Sequence, residues 1–372
     1  DLSMPDSKKV IIFTALNHGG ILQLANQMAI TLKSIGREFS LYVPVGSKNK
    51  CVDEVLDSVV EYNLPKFSFS AEKRTRELAA EIIKSDPSCF IAVDDAIKAS
   101  AIVSALSKRI KCGIVIHDVN PHPQKKTLYK EISEFIRKTL AKQAYRRVGR
   151  VILLSENSYR IFCKCYPQYV RKTVIFPLGA HVMPASPIMP EELNKYKDLD
   201  GFALFFGRID EYKGVDRLVR VQAENCLDKK YTLPLVIAGK KLSGEHFETS
   251  DKDHTVCLTR FISDGEMIWL FQHCGVVVLP YYEASQSGVL PIAYKYGKPV
   301  IVSNINGLQE LVIEDRTGSV FKDDAELGRL LRTYNINRSG KENQEISEYY
   351  NETYGWNKNV LILLERILEI NE

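Results

Sequence analysis

The sequence has no apolar run near the ~20 residues that a membrane-spanning helix needs. Its longest apolar runs, such as Val276–Leu279 and 360–364, cover only four or five residues. The stretch 1–9 itself holds no apolar segment beside its charges, so no signal peptide is expected. There is no CxxC: the closest of the eight cysteines, Cys163 and Cys165, are one residue short of zinc or redox spacing. The remaining cysteines are scattered, several within apolar runs, and read as reduced core thiols. GxGxxG, Walker and Gly-x-Ser-x-Gly motifs are also missing, which counts against a nicotinamide site, a P-loop and a serine-hydrolase elbow. What is present is globular: 372 residues, 45% hydrophobic and 26% charged, with 21 Gly and 15 Pro. That composition excludes disordered, collagen-like and solenoid chains, and the length suits two domains.

A net charge of +4 hides an asymmetry. Residues 1–180 hold 28 basic against 17 acidic side chains, and residues 181–372 hold 22 against 29. The basic excess concentrates in 124–150, where nine Lys and Arg face two Glu. Leu128, Ile132, Phe135, Ile136 and Leu140 recur there at helical spacing. A basic amphipathic helix lies on an anionic membrane surface or is a solvated helix with one buried face; both readings stay open. Nucleic acid is not expected as a partner, because the stretch lacks interleaved aromatics for stacking.

Short β-rich runs alternate with helical stretches. Strands are expected at 10–15, 39–43, 90–93, 113–116, 151–154 and 174–176, and helices at 21–35, 71–84, 96–108, 124–145 and 156–165. Apolar runs without alternation suit strands buried on both faces of a parallel sheet. Proline and glycine then cluster at Pro177, Gly179, Pro184, Pro187 and Pro190, the best domain boundary in the chain. The rhythm resumes with strands at 202–206, 235–238, 256–258, 276–279, 300–302 and 319–321, and a helix over 356–370 closes the chain. The expected class is α/β: two Rossmann-like, doubly wound parallel-sheet domains facing across a cleft, with ligands at the strands' carboxyl ends. The boundaries expected are 1–180, 181–355 and a terminal helix over 356–372.

Four places carry chemistry. Gly19 and Gly20 sit where the first strand turns into a helix, so backbone amides can approach a phosphate there. His117 ends the strand at 113–116, followed by Asp118, Asn120, Pro121 and His122; such a histidine binds a sugar hydroxyl or phosphate, or satisfies a loop carbonyl. In Phe206-Gly207-Arg208 to Lys213-Gly214 a strand delivers two cations beside a helix start, which suits a diphosphate or a surface ion pair. The segment from Tyr281 to Val302 holds Glu283, then a small-residue turn at Ser287, Gly288 and Val289 whose amides form an anion site. Tyr294 and Tyr296 read as packing residues. Asp251 and Asp253 have DxD spacing but lie in a polar run that reads as a solvated loop, so no metal site is expected.

These pieces, in this order and spanning nearly the whole chain, resemble GT-B glycosyltransferases of glycosyltransferase family 4. The resemblance rests on the Gly19-Gly20 loop, His117, FGRxxxxKG at 206–214, the Glu283-to-GKPVI block, Asn306 to Glu310, Thr317-Gly318 and the Trp356-led helix. It implies a retaining, metal-independent transferase that moves a sugar from a nucleoside diphosphate sugar, its co-substrate, with no further cofactor. The acceptor is expected on the first domain and the donor mainly on the second. By position, Arg208 and Lys213 neutralise the diphosphate leaving group, Gly19 and Gly20 approach it from the other domain, and Ser287, Gly288 and Val289 complete the anion site. Glu283 binds sugar hydroxyls, His117 contacts the reacting sugar, and the stretch around Ile262 holds the base. A glycan or lipid-linked glycan acceptor in bacterial surface-polysaccharide assembly is expected, with the protein cytoplasmic or peripheral on the inner face of the membrane through 124–150.

One departure stands out. Where the family places a second glutamate, which grips the ribose, this chain has Pro291 or Ile292. Two other readings therefore remain: a sugar-nucleotide epimerase on the same fold, and a catalytically silent sugar-nucleotide-binding subunit.

Overall fold

The computed structural model describes residues 8–65, 69–117, 119, 128–194, 196, 201–227, 233–242, 247, 249, 254–284, 286–334 and 340–369. The chain divides into two compact units, one of Asp1–Pro177 with Gly355–Glu372 and one of Leu178–Tyr354.

The first unit is built on seven strands: β1 (Val10–Phe13), β2 (Phe39–Pro44), β3 (Val59–Tyr62), β4 (Cys89–Ala92), β5 (Cys112–Ile116), β6 (Arg150–Leu153) and β7 (Thr173–Ile175). They form one parallel sheet in the order β3-β2-β1-β4-β5-β6-β7. Every residue of β1, β4 and β5 is buried, which is why these runs read as unbroken apolar sequence. Edge strand β3 escaped the sequence reading: only Val59 and Tyr62 are buried, while Val60 and Glu61 between them face water.

The crossover helices are α1 (Gly19–Ser34), α2 (Phe69–Lys84), α3 (Ile97–Leu106), α4 (Leu128–Arg147) and α5 (Glu156–Cys165). In the second unit, β8 (Ala203–Phe206), β9 (Leu235–Ala238), β10 (Thr255–Leu258), β11 (Val276–Leu279), β12 (Val300–Ser303) and β13 (Gly318–Phe321) pair in parallel in the order β10-β9-β8-β11-β12-β13. Helices α6 (Val215–Leu227), α7 (Asp264–His273), α8 (Val289–Lys295), α9 (Asp324–Thr333) and α10 (Gly340–Tyr354) accompany it.

The last helix, α11 (Trp356–Leu368), belongs to the first unit. It buries Val360, Leu363, Leu364 and Ile367, each worth roughly 1.5–3 kcal/mol on transfer from water. Gly113 on β5 makes room for it: a Cβ there would stand 3.0 Å from Ile367 Cδ1 and 2.8 Å from Ile152 Cδ1. Arg150 Nε also donates to the Arg366 carbonyl at 2.7 Å, satisfying an acceptor at the helix's end.

Each sheet has one place where strand order reverses: between β1 and β4 in the first unit, and between β8 and β11 in the second. Chains leaving neighbouring strands in opposite directions leave a crevice at the carboxyl ends.

Candidate functional site

At the first switch point the chain leaves β1 as Thr14-Ala15-Leu16 and enters α1 at Gly19 and Gly20. Gly19 has φ +62°, a left-handed conformation that favours glycine, and no heavy atom lies within 4 Å of a Cβ built on either residue. Both glycines are exposed, so the start of α1 is open to an approaching group.

The turn is tied down by a residue the sequence reading passed over, Asp94, just beyond β4. Its carboxylate is buried and accepts the Ala15 amide at 2.7 Å and the Ala96 amide at 3.0 Å, with Thr14 Oγ1 at 3.3 Å. Burial outweighs these bonds and pushes its pKa up to about 6. The sequence signal was a carboxylate directly after an apolar strand, Val93-Asp94-Asp95.

His117 follows β5, and its Nε2 donates to the Val93 carbonyl at 2.8 Å. A carbonyl only accepts, so Nε2 carries the proton and a neutral ring keeps a lone pair on Nδ1. Burial lowers its pKa, favouring that neutral form. The structural role weighed from sequence, satisfying a loop carbonyl, is the one observed. Asp118, Asn120, Pro121 and His122 lie outside the described residues.

At the second switch point two loops interlock. After β8, Gly207 and Arg208 lead to a 3-10 turn over Glu211–Lys213 and left-handed Gly214, φ +64°. A side chain at Gly214 would collide with the Pro280 carbonyl beyond β11, so only glycine permits this approach. The Tyr282 amide donates to the Tyr212 carbonyl at 2.8 Å, and the Tyr282 hydroxyl to Asp216 at 3.0 Å. These contacts bring the loops of Lys213 and Glu283 together, while a Cβ on Gly207 would sit 3.7 Å from Val289 at the start of α8.

The two cations are held differently. Arg208 is 58% exposed and pairs with Asp210 at 3.2 Å, the surface ion pair that its sequence context allowed. Lys213 Nζ stands 4.0 Å from the centroid of the Tyr281 ring and 5.3 Å from that of Tyr212. Glu283 is exposed. Ser287 is buried and its Oγ accepts the Val289 amide at 3.3 Å, so that amide already has a partner, whereas Gly288 faces open space. Gln286 Oε1 and the Tyr281 hydroxyl are shut off from solvent with no partner among the described residues. Such orphaned polar atoms are uncommon. Pro291 and Ile292 are both buried in α8 and present no polar group.

Ile262 lies beyond β10, on the outer edge of the same sheet, with its side chain buried in the core. Neighbouring Phe261 is 78% exposed, and Ser263 caps α7 in a reciprocal box with Glu266.

Asp251 and Asp253 lie outside the described residues, and among the described residues no three His, Cys, Asp or Glu side chains gather as metal ligands. Within 124–150, residues 124–127 and the side chains of 128–133 are likewise outside them. Phe135, expected on the apolar face of α4, is 72% exposed. Arg137, counted in the basic stretch, is turned inward, where Glu134 at 2.9 Å and Asp95 at 3.1 Å hold it. No described helix is long and apolar enough to cross a membrane.

Residues 189–352 match the family described as Glycosyl transferases group 1. Among curated proteins the chain is similar to two uncharacterized glycosyltransferases of Methanocaldococcus jannaschii. One is 27% identical over 126 residues, covering 33% of this chain and 32% of the relative. The other is 22% identical over 246 residues, covering 62% and 61%. The chain thus spans about a third and about three fifths of the length of these relatives. Among solved structures it is similar to HepE of Anabaena in complex with UDP, at 16% identity and a TM-score of 0.70 over 97% of this chain and all of that one. The fold is GT-B: two α/β units, each with a parallel sheet and flanking helices.

Proposed function

We propose that the chain is a glycosyltransferase that moves a sugar from a nucleoside diphosphate sugar, with retention of configuration and without a bound metal. The observation that carries this reading is the interlocked second switch point, which gathers Arg208, Lys213, Glu283 and the turn into α8 at the strands' carboxyl ends. The match over residues 189–352 and the UDP held by a structural neighbour support it.

In this reading an acceptor hydroxyl oxygen bonds to the anomeric carbon as that carbon's bond to the diphosphate oxygen breaks, and the hydroxyl proton passes to the departing diphosphate, on whose oxygen charge develops. Arg208 and Lys213 stabilise that charge, and the Gly288 amide adds a dipole. Glu283 holds sugar hydroxyls, and the backbone at Ile262 meets the base. On the first unit, Gly19 and Gly20 offer an open helix start, and His117 offers a neutral Nδ1. The acceptor is a glycan or lipid-linked glycan of bacterial surface-polysaccharide assembly, reached at the inner membrane face through exposed Phe135, Lys138 and Lys142 of α4.

The deciding experiment screens UDP-, GDP- and ADP-sugars by calorimetry with the full chain, then follows transfer and product configuration with the donor that binds. Binding of none of the three removes the reading. A silent nucleotide-sugar-binding subunit is the second reading, favoured by the buried Pro291 and Ile292. Binding without transfer to any acceptor would select it, and an epimer formed from donor alone would select an epimerase. Co-sedimentation with liposomes that ignores anionic lipid and salt would remove the membrane contact.

A further inference from the structure

Lys213 and Arg208 approach the same strand ends, yet only Arg208 has a carboxylate partner among the described residues, Asp210. What Lys213 has is an aromatic face. Tyr281 is 1% exposed, its ring lies beneath the ammonium, and Tyr212 meets that ring edge-on at 6.4 Å and 73°. The ring itself is fixed from both sides of its sequence. Pro280 abuts Gly214, and the Tyr282 amide and hydroxyl bond the Tyr212 carbonyl and Asp216. Lysine's flexible stem ordinarily leaves the ammonium free to wander, and ordering it has an entropic cost. A carboxylate would fix it but also neutralise it. A ring quadrupole fixes it and leaves the full positive charge available to a second, anionic partner.

We propose that Tyr281 is the positioning residue for Lys213: its buried ring face holds the ammonium in place for the diphosphate of a nucleoside diphosphate without cancelling its charge. The proposal rests on the donor reading above and adds to it a residue outside the phosphate-binding set. The Tyr281 hydroxyl has no partner among the described residues, so the ring face, not the hydroxyl, carries the role. Phenylalanine should therefore replace it and leucine should not.

The test has one arm that needs no ligand and one that does. In the full chain reductively methylated with 13C, the Lys213 signal, assigned by its loss in Lys213→Arg, should be displaced upfield by the ring. It should move back in Tyr281→Leu and stay displaced in Tyr281→Phe. In calorimetry with UDP, or whichever of UDP, GDP and ADP the wild type binds, Tyr281→Leu should weaken binding about tenfold and Tyr281→Phe less than about twofold. In a Lys213→Ala background the leucine change should fall below about twofold, since the ring then has nothing to hold. Tyr281→Phe should unfold thermally at or above the wild-type midpoint, because a buried, unpartnered hydroxyl is removed. A Lys213 signal at the ordinary lysine position, or a Tyr281→Leu loss that persists without Lys213, overturns the proposal. A displaced signal in a wild-type protein that binds none of the three nucleotides overturns the donor reading, and the assigned role with it.

Discussion

At the switch point of the first sheet the loops are tied by a buried anion. Asp94 reaches from the end of β4 to the amides of Ala15 and Ala96. At that of the second sheet they are tied by close backbone approach and ring faces: Gly214 against Pro280, and Lys213 over Tyr281. Two parallel sheets whose strand order reverses in the same way thus hold their switch-point loops by different physics. The first tie is titratable within the working range of a protein, and the second is steric and set by aromatic contact. A change of pH through about 6 should therefore act on the β1 and β4 loops and leave the β8 and β11 loops in place.

Four experiments break or sharpen that contrast, in order of expected effect. Gly214→Val puts a branched side chain at φ +64° against a carbonyl oxygen, so urea unfolding should lose more than about 3 kcal/mol. An unchanged midpoint would show that the second tie is not steric.

Asp94 comes next. Its folded-state pKa of about 6 lies above its ordinary 3.8, so the folded state binds the proton more tightly. Its contribution to stability is therefore fully present below about pH 4 and is lost as pH rises through 6. The difference corresponds to roughly 3 kcal/mol. His117, with its pKa lowered, works in the opposite sense and loses its contribution as pH falls. The informative comparison is consequently wild type against Asp94→Asn across pH 4–7, in which the Asp94 slope should vanish. The variant should also lose about 1–3 kcal/mol at low pH, because an amide nitrogen then faces a backbone N–H. A wild-type slope surviving in the variant would assign it to another group.

Arg208→Ala should reduce turnover about 100-fold, or more if the guanidinium acts mainly on the transition state. Near wild-type turnover would restrict that arginine to its pair with Asp210. The smallest effect is expected at the edge of the second sheet, where Arg260 pairs with Glu192 at 2.7 Å but both side chains are well exposed. A double-mutant cycle of Glu192→Gln and Arg260→Gln should give less than about 1 kcal/mol. A larger coupling would make the edge as important as the switch point.

Much of this organisation could be read from residues alone. Strands buried on both faces betray themselves as runs such as Val276–Leu279, and helix α5 begins and ends where its amphipathic pattern does. Edge strand β3 was hidden because half of it faces water, and its Val60 and Glu61 look like loop. In the second unit, the stretches holding Arg208, Lys213 and Glu283 stood out by their types and spacing. Their company did not. Asp210 partners Arg208 within one loop, whereas Tyr281 comes to lie beneath Lys213 only because loops nearly 70 residues apart in sequence meet across neighbouring strands.

Local chemistry alone determined the two α/β halves, the strand-to-helix turns that carry glycine, and the cations at a strand's end, because burial and backbone freedom act over a few residues. Only the tertiary structure decided which strands became neighbours, which carboxylate was sealed from water and which ring came to lie beneath Lys213. Those outcomes follow from strand order, and strand order is settled by packing between segments that sequence proximity does not connect.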